Sequence, residues 1–307
     1  MADAQVSKTC ESNLMRVRLS PRPHSRNFCL KKQITSSYTF KINSYKQKRN
    51  MKNRGKQLDL LVTFSLFIIS AFVSFKLNLK PLTGSFLYLL IPSIYLSLRE
   101  RKNYKKIFWA VLLLGGVLGF VFDFIETFNK AWITSRLVLP WKIFGVLSID
   151  DLIGFLLMTL LIVVFYEHFI DDEKDRRISP HLIPTLIPSL LIALSIIIFF
   201  PLRPDIFNVP YAYLYGGIAV IAFPIFYCIR RPKLISKFLK VAASFFMVWF
   251  VAEIVVLKTG GWYFAGEYIG TVHVFGVTFP FEELFFWMMF YAASIVAYYE
   301  RVIDDER

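Results

Sequence analysis

Acidic residues are scarce in this chain. Asp and Glu together number 22 against 36 Lys and Arg, and phenylalanine alone, at 32, outnumbers them. Charged residues of both signs make up only 19% of the 307 positions, whereas 56% are hydrophobic. A soluble enzyme and a nucleic-acid-binding domain are both excluded by that balance, because neither could cover itself with so little polar surface. Cysteine is rare as well: Cys10, Cys29 and Cys228 offer neither a disulfide framework nor a metal-ligand spacing. The four histidines, His24, His168, His181 and His273, form no ligand set, and His273 alone is a candidate proton shuttle. No metal and no cofactor is expected.

What the chain does have is apolar runs of membrane-spanning length, each near the 20 residues that cross a ~30 Å hydrocarbon core. Eight are expected, at roughly 58–77, 82–98, 107–126, 149–169, 182–201, 210–229, 238–257 and 280–300, the second being short and interrupted by Pro92. The fold class is therefore all-α integral membrane, with the lipid bilayer as its partner. The net charge of +14 is mostly local: residues 1–57 hold fourteen Lys/Arg against Asp3 and Glu11. This leader has no apolar core and so is not a secretory signal. It reads either as a basic, disordered extension or as a start codon placed too early, with Met51 as the alternative start. Lys/Arg clusters at 99–106, 174–177 and 230–240 fall on the leader's side, which puts both termini in the cytoplasm of a multi-pass protein, on a prokaryotic cell membrane.

The two halves of the apolar region resemble each other. The first contains Trp141-Lys-Ile-Phe-Gly-Val-Leu-Ser-Ile-Asp-Asp, an apolar run, then Phe165-Tyr-Glu-His-Phe-Ile-Asp-Asp-Glu. The second contains Val272-His-Val-Phe-Gly-Val-Thr-Phe-Pro-Phe-Glu-Glu, an apolar run, then Tyr298-Tyr-Glu-Arg-Val-Ile-Asp-Asp-Glu. Asp123 lies nine residues before Trp132, as Glu253 lies nine before Trp262. Repeats of four spans each, 58–177 and 178–307, would enter the membrane in the same sense, with a site where they meet.

Carboxylates inside spans are costly, roughly 2.5–3.5 kcal/mol at the centre, and mark candidate sites. Asp123, Glu126, Asp150, Asp151, Glu253, Glu282 and Glu283 fall near one depth. Pro280 followed by two acids is also ordinary chemistry for a helix N-terminus. The recurrence of the pair as Asp150–Asp151, each pair matched by an acid near the end of the preceding span, favours a site. Such a cluster cannot ionise fully, and a carboxyl kept neutral is a proton donor. Phe279, Phe281, Phe285, Phe286, Trp287, Phe290 and Tyr291 crowd the same level, where they serve either as a lipid-facing belt or as walls that stabilise a cation. Neighbours on a helix point about 100° apart, so Glu282 and Glu283 divide the roles of acid and support between them.

The stretch Trp262-Tyr-Phe-Ala-Gly-Glu-Tyr-Ile-Gly, Phe275-Gly-Val and Pro280-Phe-Glu-Glu-Leu-Phe-Phe-Trp resembles the lycopene cyclase domain family of small membrane proteins, in its fused tandem form, over residues 58–307. The resemblance implies a carotenoid-biosynthesis isomerase that closes the ψ-ends of a linear carotenoid, lycopene or a relative, by protonation, ring closure and proton loss. Glu282 and Glu283 carry over as the acid pair, with Glu267, Tyr268 and Trp262 as pocket residues, and other enzymes of the pathway as possible partners. Asp150, Asp151, Asp123, Glu253 and Phe286 complete the expected pocket. The first half departs from the pattern, with Ser148-Ile-Asp-Asp in place of Pro-x-Glu-Glu. The absence of a Gly-x-Gly-x-x-Gly turn argues against the flavin-dependent soluble type of cyclase.

Other readings stay open. Asp171, Asp172 and Asp175 have the Asp-Asp-x-x-Asp spacing that holds magnesium in prenyl-diphosphate enzymes, or they are a solvated helix end. The acid cluster also suits a transporter's ion pathway, or a carotenoid-binding protein that has lost the chemistry.

Overall fold

The computed structural model describes residues 54–99, 103–171 and 177–304. The leader up to residue 53 lies outside the described residues, as do Asp172 and Asp175. Asp59–Arg307 is one compact unit, so the two expected halves are packed as a single body.

Seven helices are long and apolar enough to cross a membrane: α1 Arg54–Lys76, α2 Pro81–Arg99, α3 Tyr104–Phe128, α4 Ile149–Phe169, α5 Leu182–Phe199, α6 Ala212–Arg230 and α7 Pro232–Lys258. The chain is thus a mostly helical, multi-pass membrane protein, in which each spanning helix satisfies its own backbone. The eighth expected segment forms a helix too, α8 at residues 281–302, but it does not reach the apolarity of the other seven. Glu282 and Glu283 open it, and Glu300 and Arg301 close it. It tolerates them because it lies inside the bundle, where residues 291–297 are all buried. α4 packs against α8 and α3 at the centre, while α5 leaves most of its surface outward.

Two helices survive residues that would disturb them. In α2 the turn at Phe86–Leu90 widens to the π pattern, with the Ile91 N–H bonded to the Phe86 carbonyl, just ahead of Pro92. The wider turn accommodates the ring and the missing donor. In α3 a similar widening at Val111–Leu118 contains Gly115 and Gly116. A Cβ on Gly115 would lie 2.9 Å from Thr159 Oγ1 and 3.1 Å from Leu156 Cα on α4. This glycine sets the closeness of the two central helices, as small residues do between membrane helices. Gly115→Leu is expected to lower stability by about 1–3 kcal/mol through overpacking, read as a lower unfolding midpoint in detergent. Gly154→Leu, whose Cβ meets nothing within 4 Å, is expected to change it little.

The connections at one end of the bundle carry short strands: β1 Ile133–Thr134, β2 Lys142–Ile143, β3 Leu147–Ser148, β4 Trp262–Tyr263, β5 Thr271–Val274 and β6 Val277–Pro280. β2 with β3 and β5 with β6 are antiparallel hairpins. Both turn on a Phe-Gly pair at positive φ, 51° and 74° at Phe144-Gly145 and 48° and 73° at Phe275-Gly276. Two left-handed residues suit the twist of a tight hairpin, and a bulky residue there is uncommon. β1 pairs antiparallel with β4, Ile133 facing Tyr263, so the α3–α4 and α7–α8 connections are stitched together.

The opposite end is held by buried ionic contacts. Lys106 at the start of α3 pairs with Asp304 after α8, and Lys237 at the start of α7 lies 3.1 Å from Asp171 after α4 and 3.2 Å from Glu300. Tyr166 donates to Glu300, and Tyr299 donates to Glu167. Asp59 on α1 accepts from Tyr95 at 2.6 Å and from Arg99, and sits 3.0 Å from His168 Nε2.

Candidate active site

At the hairpin end the neighbouring turns of α2, α4, α7 and α8, with the start of α6 and the loops between them, line a partly open cavity of about 180 Å³. Four carboxyl side chains line it: Asp150, Asp151, Glu253 and Glu283. Their positions follow from helix starts and ends. Ser148 caps α4, its hydroxyl accepting from the Asp151 N–H at 3.1 Å, which places Asp150 and Asp151 in the first turn. Glu253 lies in the last turns of α7, and Glu283 in the first turn of α8.

Each carboxyl has a different restraint. Both Asp150 oxygens accept backbone N–H bonds, from Val138 at 2.5 Å and Leu139 at 3.0 Å, so this residue anchors the α3–α4 loop. Asp151 accepts from Thr134 at 2.7 Å and from Ser148 at 2.5 Å. Glu253 accepts from the Trp262 indole at 2.9 Å. Glu283 accepts from the Tyr213 hydroxyl of α6.

Rings pack around Glu283. Trp287, one helical turn along, stacks on Tyr213 with centroids 5.7 Å apart and planes 14° apart. Trp132 meets Trp287 edge to face at 5.9 Å and Tyr213 at 5.7 Å. Tyr291 closes the group 5.3 Å from Trp287. The π faces of such rings are negative and attract a cation, whereas their edges carry the positive end of the quadrupole. The arrangement can hand a proton to an apolar guest and shelter the positive charge that results.

Of the residues expected in the pocket, Asp150, Asp151, Glu253, Glu283 and Trp262 line the cavity, and the others take different places. Glu282 is fully buried on the other side of α8 and accepts the Ile269 N–H at 2.7 Å, holding the α7–α8 loop as Asp150 holds the α3–α4 loop. Asp123 is buried in α3 and accepts from Thr127 at 3.1 Å. Phe286 fills the space that a side chain at Gly217 would need. Tyr268 staples two loops, accepting the Gly266 N–H at 2.7 Å and donating to the Ala131 carbonyl at 2.9 Å. Burial pushes its phenol up to about 12, so it remains a donor at ordinary pH. Glu267 is exposed and lines a separate recess. His273 is exposed in the second hairpin, 2.7 Å from Thr278 Oγ1.

Asp171 is buried beside Lys237, and its carboxyl lies within 4.8 Å of those of Glu167 and Asp304. Lys106 and Lys237 already bring two ammonium groups to this acid trio. The buried Glu126 has no hydrogen-bond partner for either oxygen among the described residues and packs against Gly216 of α6. Tyr213, Tyr88 and Trp249, all in the cavity wall, are not distinguished in the sequence. They come from helices remote in sequence from the acid pairs, and Tyr213 stands in a run with Tyr211 and Tyr215 that offers nothing to choose between them. No match to this chain is found among protein-family models, curated proteins or solved structures.

Proposed function

We propose that this protein is a membrane cyclase that closes the open ψ-ends of a linear carotenoid into rings, with Glu283 as the acid. The observation that carries the reading is the position of Glu283, the member of the Pro280-Phe-Glu-Glu motif that opens into a cavity walled by Trp132, Tyr213 and Trp287. Glu283 gives its proton to the terminal alkene. The cation is attacked by the neighbouring double bond, which forms the ring bond and moves the charge onto the ring. The ring cation then returns a proton to the Glu283 carboxylate and leaves a new double bond. Asp151 and Glu253 line the same cavity and offer carboxyl oxygens beside the cation while it lasts. Electrons balance within the substrate, so the sequence of steps needs no redox partner.

We further propose that the chain is built as two parallel repeats, 58–177 and 178–307. The two Phe-Gly turns, the loop-anchoring roles of Asp150 and Glu282, and the reciprocal pairing of Tyr166 with Glu300 and Tyr299 with Glu167 are equivalent features of two copies. The β1–β4 pair joins the corresponding loops of the two proposed copies, Ile133 facing Tyr263. Residues from both proposed copies line the cavity, among them Asp151 and Glu283.

The test is expression of the full chain in lycopene-accumulating bacteria with the pigments separated by chromatography. A one-ringed or two-ringed carotenoid is the expected product. Unchanged lycopene beside well-inserted protein would remove lycopene as the substrate.

A further inference from the structure

A polar recess of about 370 Å³ lies at the hairpin end between the close of α3 and the start of α6. Asn129, Lys130, Tyr211 and the exposed Glu267 stand in its wall. Its shape is fixed by Asn129, which accepts the Val209 N–H at 2.8 Å and donates to the Phe207 carbonyl at 2.9 Å. Lys130 and Tyr211 both hold left-handed backbone, φ 61° and 53°. Side chains rarely take that conformation unless the surroundings impose it, and such residues gather at functional sites. The recess and the cavity share one wall residue, Tyr213. Its ring is 1% exposed, and its hydroxyl is bonded to Glu283.

We infer that Tyr213 is a proton link between solvent in the recess and the Glu283 carboxyl, which makes it a positioning residue that acts through Glu283. The inference rests on the cyclase reading. After each ring closes, Glu283 carries a proton taken from the substrate. Tyr213 passes its hydroxyl proton to one Glu283 oxygen, the substrate-derived proton leaves by the same hydroxyl, and water in the recess exchanges with it. No net charge moves, and the acid is reset with a solvent proton before the next turnover.

Isotope content reads this directly. Full-length protein in liposomes loaded with lycopene is run in D2O, and the cyclised product is analysed by mass spectrometry. Wild type is expected to place one deuterium per ring. Tyr213→Phe is expected to form rings with several-fold less deuterium, because Glu283 then recycles the substrate's own protons. Ala265→Trp, which fills the recess and leaves the Tyr213–Glu283 contact untouched, is expected to lower deuterium as well. Full deuterium content in the rings made by Tyr213→Phe overturns the link. Should that variant form no rings, Ala265→Trp decides, and full deuterium there overturns it equally. A wild type that forms no rings at all defeats the cyclase reading instead.

Discussion

Glu283→Gln is expected to abolish ring formation, lowering the rate by about 10²–10⁴-fold, the range that a positioned general acid contributes. Glu282→Gln should keep most of the activity. The two residues are neighbours in sequence and face different ways. Glu283 lines the cavity and holds Tyr213, whereas Glu282 is buried against the loop and accepts the Ile269 N–H at 2.7 Å. Glutamine keeps an acceptor oxygen at both sites, so the Tyr213 and Ile269 bonds can persist and the fold is retained. Only the transferable proton is lost. The measurement is cyclic product formed per amount of folded protein, each variant normalised by size-exclusion chromatography in detergent. An active Glu283→Gln beside a dead Glu282→Gln would place the chemistry on the loop side of α8 and sink the assignment.

Asp304→Leu is expected to be the most destabilising single change at the other end of the bundle, by about 3–5 kcal/mol, the usual cost of stripping one partner from a buried ion pair. The Lys106 side chain is 2% exposed, and its ammonium pairs with Asp304. Removing the carboxylate leaves a buried charge without that counter-charge. Replacing both partners, Lys106→Met with Asp304→Leu, should cost less than Asp304→Leu alone, because an apolar pair carries no desolvation penalty. Unfolding midpoints of the two single variants and the double variant in one detergent give the coupling energy. Additive effects would show that the pair contributes nothing beyond its separate side chains.

The spanning helices were legible because lipid imposes a long apolar run on each. The eighth, α8, is where that signal weakens: a helix sheltered by its neighbours can carry Glu282, Glu283 and Glu300 without facing lipid. That Glu282 and Glu283 face different ways was legible from helical geometry, but not which one meets the cavity, which depends on where α7 and α6 pack. Tyr213 was invisible for the same reason, since the carboxyl that it bonds lies 70 positions away. Glu267, Tyr268 and Phe286 are near the motif in sequence, but the turn of the chain between β4 and β5 leaves Glu267 exposed and sets Tyr268 against the Ala131 carbonyl, and Phe286 packs into the gap at Gly217. Closeness in sequence to an acid pair is a weak guide where a loop separates two elements of the bundle.

The cavity, at about 180 Å³, is smaller than the roughly 300–1,000 Å³ that encloses a drug-sized ligand. On the cyclase reading, a forty-carbon polyene can therefore place only one terminus in it, while the rest of the molecule stays in the surrounding lipid. A substrate with two open termini must withdraw, reverse and re-enter to be finished. The enzyme is then distributive: when substrate is abundant, half-finished molecules leave and compete with fresh ones. The one-ringed carotenoid accumulates first, and the ratio of one-ringed to two-ringed pigment is set by the supply of substrate.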